Sequence, residues 1–203
     1  VTEPGSFGSF VGKMDLVIEN GKIVDEVYEL MEVDPEKYPA NERVAAIIDE
    51  VMEPYNEKIN RVLGHTTVPM YRFFVDETNM DNFLTDIARA KTGADIAISN
   101  GFRFTPPIVP GADGKAAITY GHVWDMIPVD EYVKTGVATG KQIKDWLEKE
   151  MHNAFAQNPT ERFGGWLVRF SGMEVDFKSQ NDRGERIANI TVKGEEMQDD
   201  KYY

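Results

Sequence analysis

The chain has 203 residues, of which 41% are hydrophobic and 28% charged, a composition typical of a globular protein with one large domain or one domain and an appendage. Its formal net charge is −13, from 35 acidic and 22 basic side chains. That charge argues against a nucleic-acid partner, although one basic pocket for a small anionic ligand stays open. The absence of cysteine excludes thiol catalysis, disulfides and thiolate metal sites.

The N-terminal stretch VTEPGSFGSFVGK lacks the charged and apolar regions of a signal peptide. No apolar run approaches the length of a membrane span, so we expect none. The first residue is Val rather than Met, so we treat the chain as a processed or excised piece, in which a missing signal carries no conclusion.

The first predicted elements are a hairpin and a helix. Residues 14–33 place Asn20-Gly21 between two β-rich runs, which is the pattern of a two-residue hairpin turn. Residues 41–63 carry apolar side chains at helical spacing, with a kink or break at Pro54. We expect this helix to connect the hairpin to the rest of the chain.

The remaining chain alternates helices and strands. The pattern predicts an extended segment at 65–75, a helix from 78 or 79 to 91, a short buried central strand at 94–99, a helix at 119–126, a strand at 131–139, a helix at 139–155 and strands at 166–172, 173–179 and 187–194. This order favours an α+β fold with a mixed sheet and packed helices over a doubly wound parallel sheet.

Catalytic motifs are scarce. The three histidines, His65, His122 and His152, are far apart in sequence, so one helical turn cannot supply two metal ligands. We interpret them as surface or capping residues and expect no metal centre within this chain. No serine stands in a G-x-S-x-G motif, and the stretch GSFGSFVG lacks the lysine of a phosphate-binding loop. We assign no catalytic residue.

The stretch SNGFRF, at 99–104, is the best candidate binding loop because it follows the predicted central strand directly. Gly101 permits close backbone approach, Asn100 offers amide groups, and Arg103 offers a planar fork suited to phosphate or carboxylate. Phe102 and its neighbour at 104 either stack a base or fill the core. On composition alone, binding and plain packing both stay open.

Two longer stretches resemble the 5′-nucleotidase C-terminal domain family. ETNMDNFLTDIARAKTGADIAISNG is similar to the family pattern E-x-N-x-G-N-L-x-x-D-A followed by a-D-[IV]-A-[IL]-x-N-G-G-G-[IL]-R. The matching residues are Glu77, Asn79, Asn82, Asp86, Ala88, Asp95, Ala97, Asn100, Gly101 and Arg103. ITYGHVWDMIPVDEYVKTGVATGKQIKDWLE resembles the family's next motif, and GSFGSFVGKMDLVIENGKIV resembles the last hairpin of the metallophosphatase domain that precedes this domain in the family.

The resemblance implies a division of the chain into three parts. Residues 1–40 would be the terminal hairpin of a missing N-terminal metallophosphatase domain, 41–64 a linker helix, and 65–203 the substrate-binding domain. We expect that domain to be cut short, because the chain stops before the family's Gly-Gly-Asp-Gly-aromatic motif.

The resemblance also implies a function. Asn100, Gly101, Phe102 and Arg103 would bind a small anionic substrate, a nucleotide or related phosphoester. Two divalent metal ions would act from the missing domain, so the parent protein would be a phosphoester hydrolase of nucleotide catabolism and this piece alone would be inactive. The family implies a periplasmic or extracellular location.

Departures from the family pattern leave alternatives. The family's N-G-G-G-x-R is shortened here to 100–103, and Pro128-Val129 replaces a P-F pair that supplies half of an aromatic base clamp. Phe74 stands where the family often has arginine, with Arg72 nearby. The shortened G-F-R and the stretch GGWLVRFSGM are more similar to the thiosulfohydrolase branch, which cleaves sulfate from a protein-bound cysteine adduct in bacterial sulfur oxidation. A non-catalytic module that binds nucleotides or other anions is the remaining alternative.

Overall fold

A computed structural model of the chain describes residues 2–5, 8–72, 74–101, 105–129 and 131–203. Its backbone contacts divide the chain into two compact units, Val1–Asn56 and Glu57–Tyr203.

The first unit begins with the predicted hairpin. Strands β1 (Phe10–Glu19) and β2 (Lys22–Glu32) pair antiparallel. Asn20 and Gly21 have φ angles of 51° and 76°, the left-handed conformation that a tight two-residue hairpin turn requires at both positions. The Asn-Gly prediction is therefore confirmed.

No described side chain of the first unit is buried. Cross-strand partners such as Met14 with Tyr28, and Gly12 with Leu30, give one face of the hairpin an apolar character. Because an isolated two-stranded hairpin buries little surface, the described residues of this unit form no core of their own.

The helix predicted over 41–63 is present but ends earlier. Helix α1 (Glu42–Met52) starts at Asn41, whose side chain caps it, and a 3-10 turn (Glu53–Tyr55) follows at the predicted break. Helix α2 (Asn56–Ile59) is one turn long, and strand β3 (Val62–Thr66) then begins. The end of the prediction was wrong because strand pairing overrides helical spacing at positions 62 and 63.

The described residues of the second unit contain three longer helices, and each begins directly after a threonine that caps it. They are α3 (Asn79–Thr92), α4 (Tyr120–Met126) and α5 (Gly140–Phe155). The side-chain oxygens of Thr78, Thr119 and Thr139 accept hydrogen bonds from backbone N–H groups of the first turns. The remaining strands are β4 (Ala97–Ser99), β5 (Ala116–Thr119), β6 (Arg169–Ser171), β7 (Met173–Phe177), β8 (Ile187–Val192) and β9 (Glu195–Glu196).

The α+β class is confirmed. Within the described ranges, the strands of this unit form three small antiparallel sheets, β3-β5, β4-β6 and β7-β8-β9, rather than one larger mixed sheet.

Two strand predictions need correction. The buried central strand at 94–99 is a three-residue strand with β6 as its neighbour, and Ile98 is 55% exposed. Described residues of 131–139 form no strand; Tyr132 is 93% exposed there. The alternation of side chains predicted a strand, but no neighbouring strand supplies a hydrogen-bonded ladder, apart from a single bridge at Thr139.

Two apolar clusters form the core of the second unit. One packs α5 against the β7-β8-β9 sheet and contains Leu147, Met151, Leu167, Met173, Ile187, Ile190 and Val192. The other contains Met70, Met80, Ile108, Ile118 and Met126. A group of buried charged side chains connects the loop that follows β4 to residues near both clusters.

Candidate functional site

The predicted binding loop begins at the end of β4. The side chain of Asn100 is exposed, whereas Gly101 is buried. A Cβ atom on Gly101 would lie 3.0 Å from the side chains of both Trp166 and Arg169, and still closer to the carbonyl oxygen of Leu167. Only glycine lets the loop cross the segment that enters β6 at this distance.

Phe102 and Arg103, with their neighbour at 104, lie outside the described residues. Their role in binding an anion therefore stays a prediction. The described part of the loop shows how its first two residues are held.

Arg72 holds the loop at 99–101 through hydrogen bonds of its side chain. It is 3% exposed, and its Nη2 donates hydrogen bonds to the carbonyl oxygen of Asn100 at 2.7 Å and to Ser99 Oγ at 3.1 Å. Its Nη1 donates to the carbonyl oxygen of Met126 at 2.6 Å. Its Nε donates to Asp81 Oδ1 at 2.7 Å. One guanidinium thus joins the loop at 99–101, the end of α4 and the first turn of α3.

Arg169, on β6, approaches the same carboxylate from the other side. It is 3% exposed, and its Nε donates to Asp81 Oδ2 at 2.8 Å. Its Nη1 and Nη2 donate to the carbonyl oxygens of Val75 and Phe74 at 2.9 and 2.6 Å. The segment before α3 is therefore fastened to β6.

Asp81 is the centre of the group, which we call the Arg72–Asp81–Arg169 triad. Its side chain is completely buried, and Thr78 Oγ1 adds a third hydrogen bond at 2.6 Å. Two guanidiniums and one carboxylate leave a formal charge of +1 next to the loop at 99–101. A fixed positive charge at this place favours an anion above the loop.

A second glycine contact positions β4 itself. Gly172, between β6 and β7, has a φ of 88°, and a Cβ there would clash with the carbonyl oxygen of Asp95. The Asp95 carboxylate accepts a hydrogen bond from Lys193, which lowers the pKa of this carboxyl below its usual value. Asp95 therefore stays ionised at neutral pH and holds β4 near the end of β8.

The histidines lie apart. His65 is on β3, and His122 Nδ1 accepts a hydrogen bond from the backbone N–H of Thr119 at 3.2 Å, which completes the cap of α4. His152, at the end of α5, lies 2.9 Å from Glu161 through its Nε2. Among the described residues, no three His, Asp or Glu side chains are arranged to hold a metal ion.

Sequence reasoning noticed Arg72 but missed Asp81 and Arg169. The signal for Asp81 was its position, because the family pattern E-x-N-x-G-N has glycine where this chain has aspartate. Arg169 carried no local signal, since it meets Asp81 across 88 positions of sequence.

No helix in the described part of the chain has both the length and the apolar character needed to cross a membrane.

Comparison with known proteins shows the class of protein to which this arrangement belongs. Residues 62–203 match the family described as 5′-nucleotidase, C-terminal domain. The chain therefore belongs to this family, as its sequence motifs predicted.

Among particular proteins, the chain is 30% identical over 202 residues to the trifunctional nucleotide phosphoesterase protein YfkN of Bacillus subtilis strain 168, covering 95% of this chain and 13% of that protein. A solved structure of sulfate thiohydrolase SoxB from Thermus thermophilus, in complex with glycerol, superposes with a TM-score of 0.82 at 23% identity, covering 97% of this chain and 36% of SoxB. A 5′-nucleotidase precursor, also from Thermus thermophilus, gives a TM-score of 0.77 at 20% identity, covering 97% of this chain and 39% of that structure.

The two structural matches are below 25% identity and show the shared fold. The chain spans 13% of YfkN and less than two fifths of each structure, so any activity of a whole protein is a proposal here.

Proposed function

We propose that this chain is the substrate-binding part of a 5′-nucleotidase-like, metal-dependent phosphoester hydrolase. The loop at 99–103 binds the anionic group of the substrate, and Arg103 supplies the charged hydrogen bonds. The observation that carries the proposal is the buried triad under this loop, in a chain that belongs to a nucleotidase domain family.

The triad supports anion binding through position and charge. Arg72 donates a hydrogen bond to the Asn100 carbonyl oxygen. Without this donor, the negative end of the carbonyl dipole would face a bound anion. Close packing at Gly101 fixes the described start of the loop, residues 99–101, so this part of an anion site needs little reorganisation on binding.

The chemistry is assigned to a preceding domain. The described residues do not offer a set of ligands for the metal ions that the family uses, so no catalytic step is derived from them. The exposed apolar face of the β1-β2 hairpin, which includes Met14, Leu16, Tyr28 and Leu30, is consistent with a hairpin that packs in a preceding metallophosphatase domain. In this proposal the chain alone hydrolyses nothing, and the whole protein acts in the periplasm or outside the cell.

A second candidate is the binding part of a thiosulfohydrolase-like enzyme. The shortened loop at 100–103 and the stretch GGWLVRFSGM favour it. A sulfate group presents the same tetrahedral arrangement of oxygen atoms to Arg103 as a phosphate group does.

Calorimetric titration with AMP, adenosine, inorganic phosphate and sulfate separates these candidates. We expect AMP to bind in the parent chain and its affinity to fall about tenfold or more in Arg103→Ala, because a charged hydrogen bond is lost. Lys141→Ala is the matched control, since Lys141 is exposed and pairs with Asp145 on α5. Tighter binding of sulfate than of AMP favours the second candidate.

Equal affinity of the parent and Arg103→Ala for AMP would contradict the proposed role of this arginine. Release of phosphate from AMP by this chain alone, with added divalent metal, would contradict the assignment of chemistry to another domain.

A further inference from the structure

A cationic cleft lies at the C-terminal end of α5. It is bounded by the last turn of that helix, by the segment at 157–162 and by the turn at 179–186 that joins β7 to β8, and its volume is about 620 Å³. Three arginines and a histidine line it against two carboxylates: Arg162, Arg183, Arg186 and His152 against Glu161 and Asp182. A local excess of cations is unexpected in a chain whose net charge is −13.

Arg186 is unusual in this cleft because its guanidinium is buried with one nitrogen unpaired. It is 4% exposed, and its Nε donates to the carbonyl oxygen of Ser179 at 3.2 Å. Its Nη1 is buried without a hydrogen-bond partner among the described residues, and none of their carboxylates lies within ion-pair distance of its guanidinium. A buried, unpaired cation is costly, so a missing anion is the simplest partner for it.

His152 shows the same deficit. Its Nε2 lies 2.9 Å from Glu161 Oε2, while its Nδ1 is buried and has no partner within the described ranges. Four buried side-chain atoms of the described residues lack a partner, and the two nitrogens among them, His152 Nδ1 and Arg186 Nη1, both belong to residues of this cleft. The cleft thus contains one unused donor, Arg186 Nη1, and an imidazole nitrogen that can donate only when the ring is protonated.

The surrounding contacts hold Arg186 in place without neutralising it. Glu148, 6% exposed, accepts hydrogen bonds from the backbone N–H of Ile187 at 2.7 Å and of Gly184 at 3.1 Å. Its carboxylate thus fixes the chain on both sides of Arg186. On the opposite wall, Arg162 Nε donates to the carbonyl oxygen of Ala156 at 2.6 Å.

The carboxylates of the cleft do not cancel its charge. Glu161 is already engaged by His152 and, at 3.1 Å, by Asn158 Nδ2. Asp182 forms no ion pair with a described residue. The three guanidiniums and two carboxylates of the lining leave it a formal charge of +1.

We propose that this cleft binds a tetrahedral oxyanion, a phosphate or sulfate group, with Arg186 as the principal donor and Arg162, Arg183 and His152 around it. It shares no lining residue with the loop at 99–101 or with the Arg72–Asp81–Arg169 triad, so it is a second site beyond the proposed substrate site. Its volume falls in the range of small-molecule pockets and exceeds what one inorganic ion fills. The cleft therefore has room for an organic group attached to the oxyanion.

The test uses the Arg103→Ala chain, in which the proposed substrate site is disabled. We titrate it with inorganic phosphate, sulfate and ribose 5-phosphate and follow backbone amides by NMR. We expect saturable shifts at residues 179–186, with affinity lowered about tenfold or more in Arg186→Met and about threefold in Arg183→Gln, because charged hydrogen bonds are lost.

Arg183 is exposed, so its substitution leaves the fold intact and keeps the test valid if Arg186→Met does not fold. Lys141→Gln is the control for loss of one surface charge. Tighter binding of ribose 5-phosphate than of phosphate confirms an organic ester, whereas equal affinities overturn that part and leave a free oxyanion as ligand.

Absence of saturable shifts at 179–186, or unchanged affinity in Arg186→Met and Arg183→Gln, overturns the second site. The proposed substrate site is tested separately. It is contradicted if AMP binds with the same affinity to the parent chain and to Arg103→Ala, both with Arg186 in place.

Discussion

Two groups of buried arginines in the second unit differ in how their donors are used. Arg72 and Arg169 share the carboxylate of Asp81, and their other hydrogen bonds go to oxygens of the surrounding protein. Arg186 is as deeply buried, yet its Nη1 has no partner among the described residues. A buried cation whose donors are all used is a structural support, whereas a buried cation with an unused donor is a candidate for ligand binding.

The largest effect on stability is expected from substitution of Asp81, which removes the carboxylate that Arg72 and Arg169 share. Asp81→Ala leaves two guanidiniums buried without their carboxylate, and we expect the free energy of unfolding to fall by about 3–5 kcal/mol. Urea unfolding measures this change, and Asp145→Ala, which removes an exposed carboxylate from α5, should change it by less than about 0.5 kcal/mol. Similar stability of the two variants would show that the triad is not a structural support.

An intermediate effect is expected at Gly101, where the loop meets the segment before β6. Gly101→Ala places a methyl group against the Leu167 carbonyl oxygen and the Trp166 ring, so we expect a loss of about 1–3 kcal/mol. Gly136→Ala is the matched control, since a Cβ at Gly136 has open space around it. If both variants unfold at the same urea concentration, the loop is not held by this contact.

The smallest change, with the opposite sign, is expected at Arg186 in buffer free of phosphate and sulfate. Arg186→Met removes a buried cation that lacks an ion pair, so stability should stay constant or rise by about 1 kcal/mol. Arg72→Met removes a cation with four hydrogen bonds and should lower stability by about 2–4 kcal/mol. Thermal melting measures both, and equal losses in the two variants would remove the distinction between them.

The sequence predicted the features that depend on neighbouring residues. Asn20-Gly21 specified the hairpin turn, and Thr78, Thr119 and Thr139 specified helix starts, because each acts within a few positions of itself. Features that depend on distant pairing were missed. Residues at 131–139 alternate like a strand but lack a neighbouring one, and Val62 follows helical spacing but pairs with β5.

The candidate sites divide in the same way. Asn100 and Gly101 were found because they follow β4 in a family motif, whereas Asp81 and Arg169 meet across 88 positions. The cleft around Arg186 was not predicted, since its walls come from α5, the segment after it and the β7–β8 turn. Buried donors without partners are visible only in three dimensions.

In the proposed function, the loop at 99–103 binds the anionic group of the substrate. The most direct measurement is an NMR titration of the chain with AMP that follows the backbone amides of Asn100 and Gly101. We predict saturable shifts at both residues, lost in Arg103→Ala and retained in Lys141→Ala. Unchanged amide signals at both positions, while AMP binds elsewhere, would contradict the account.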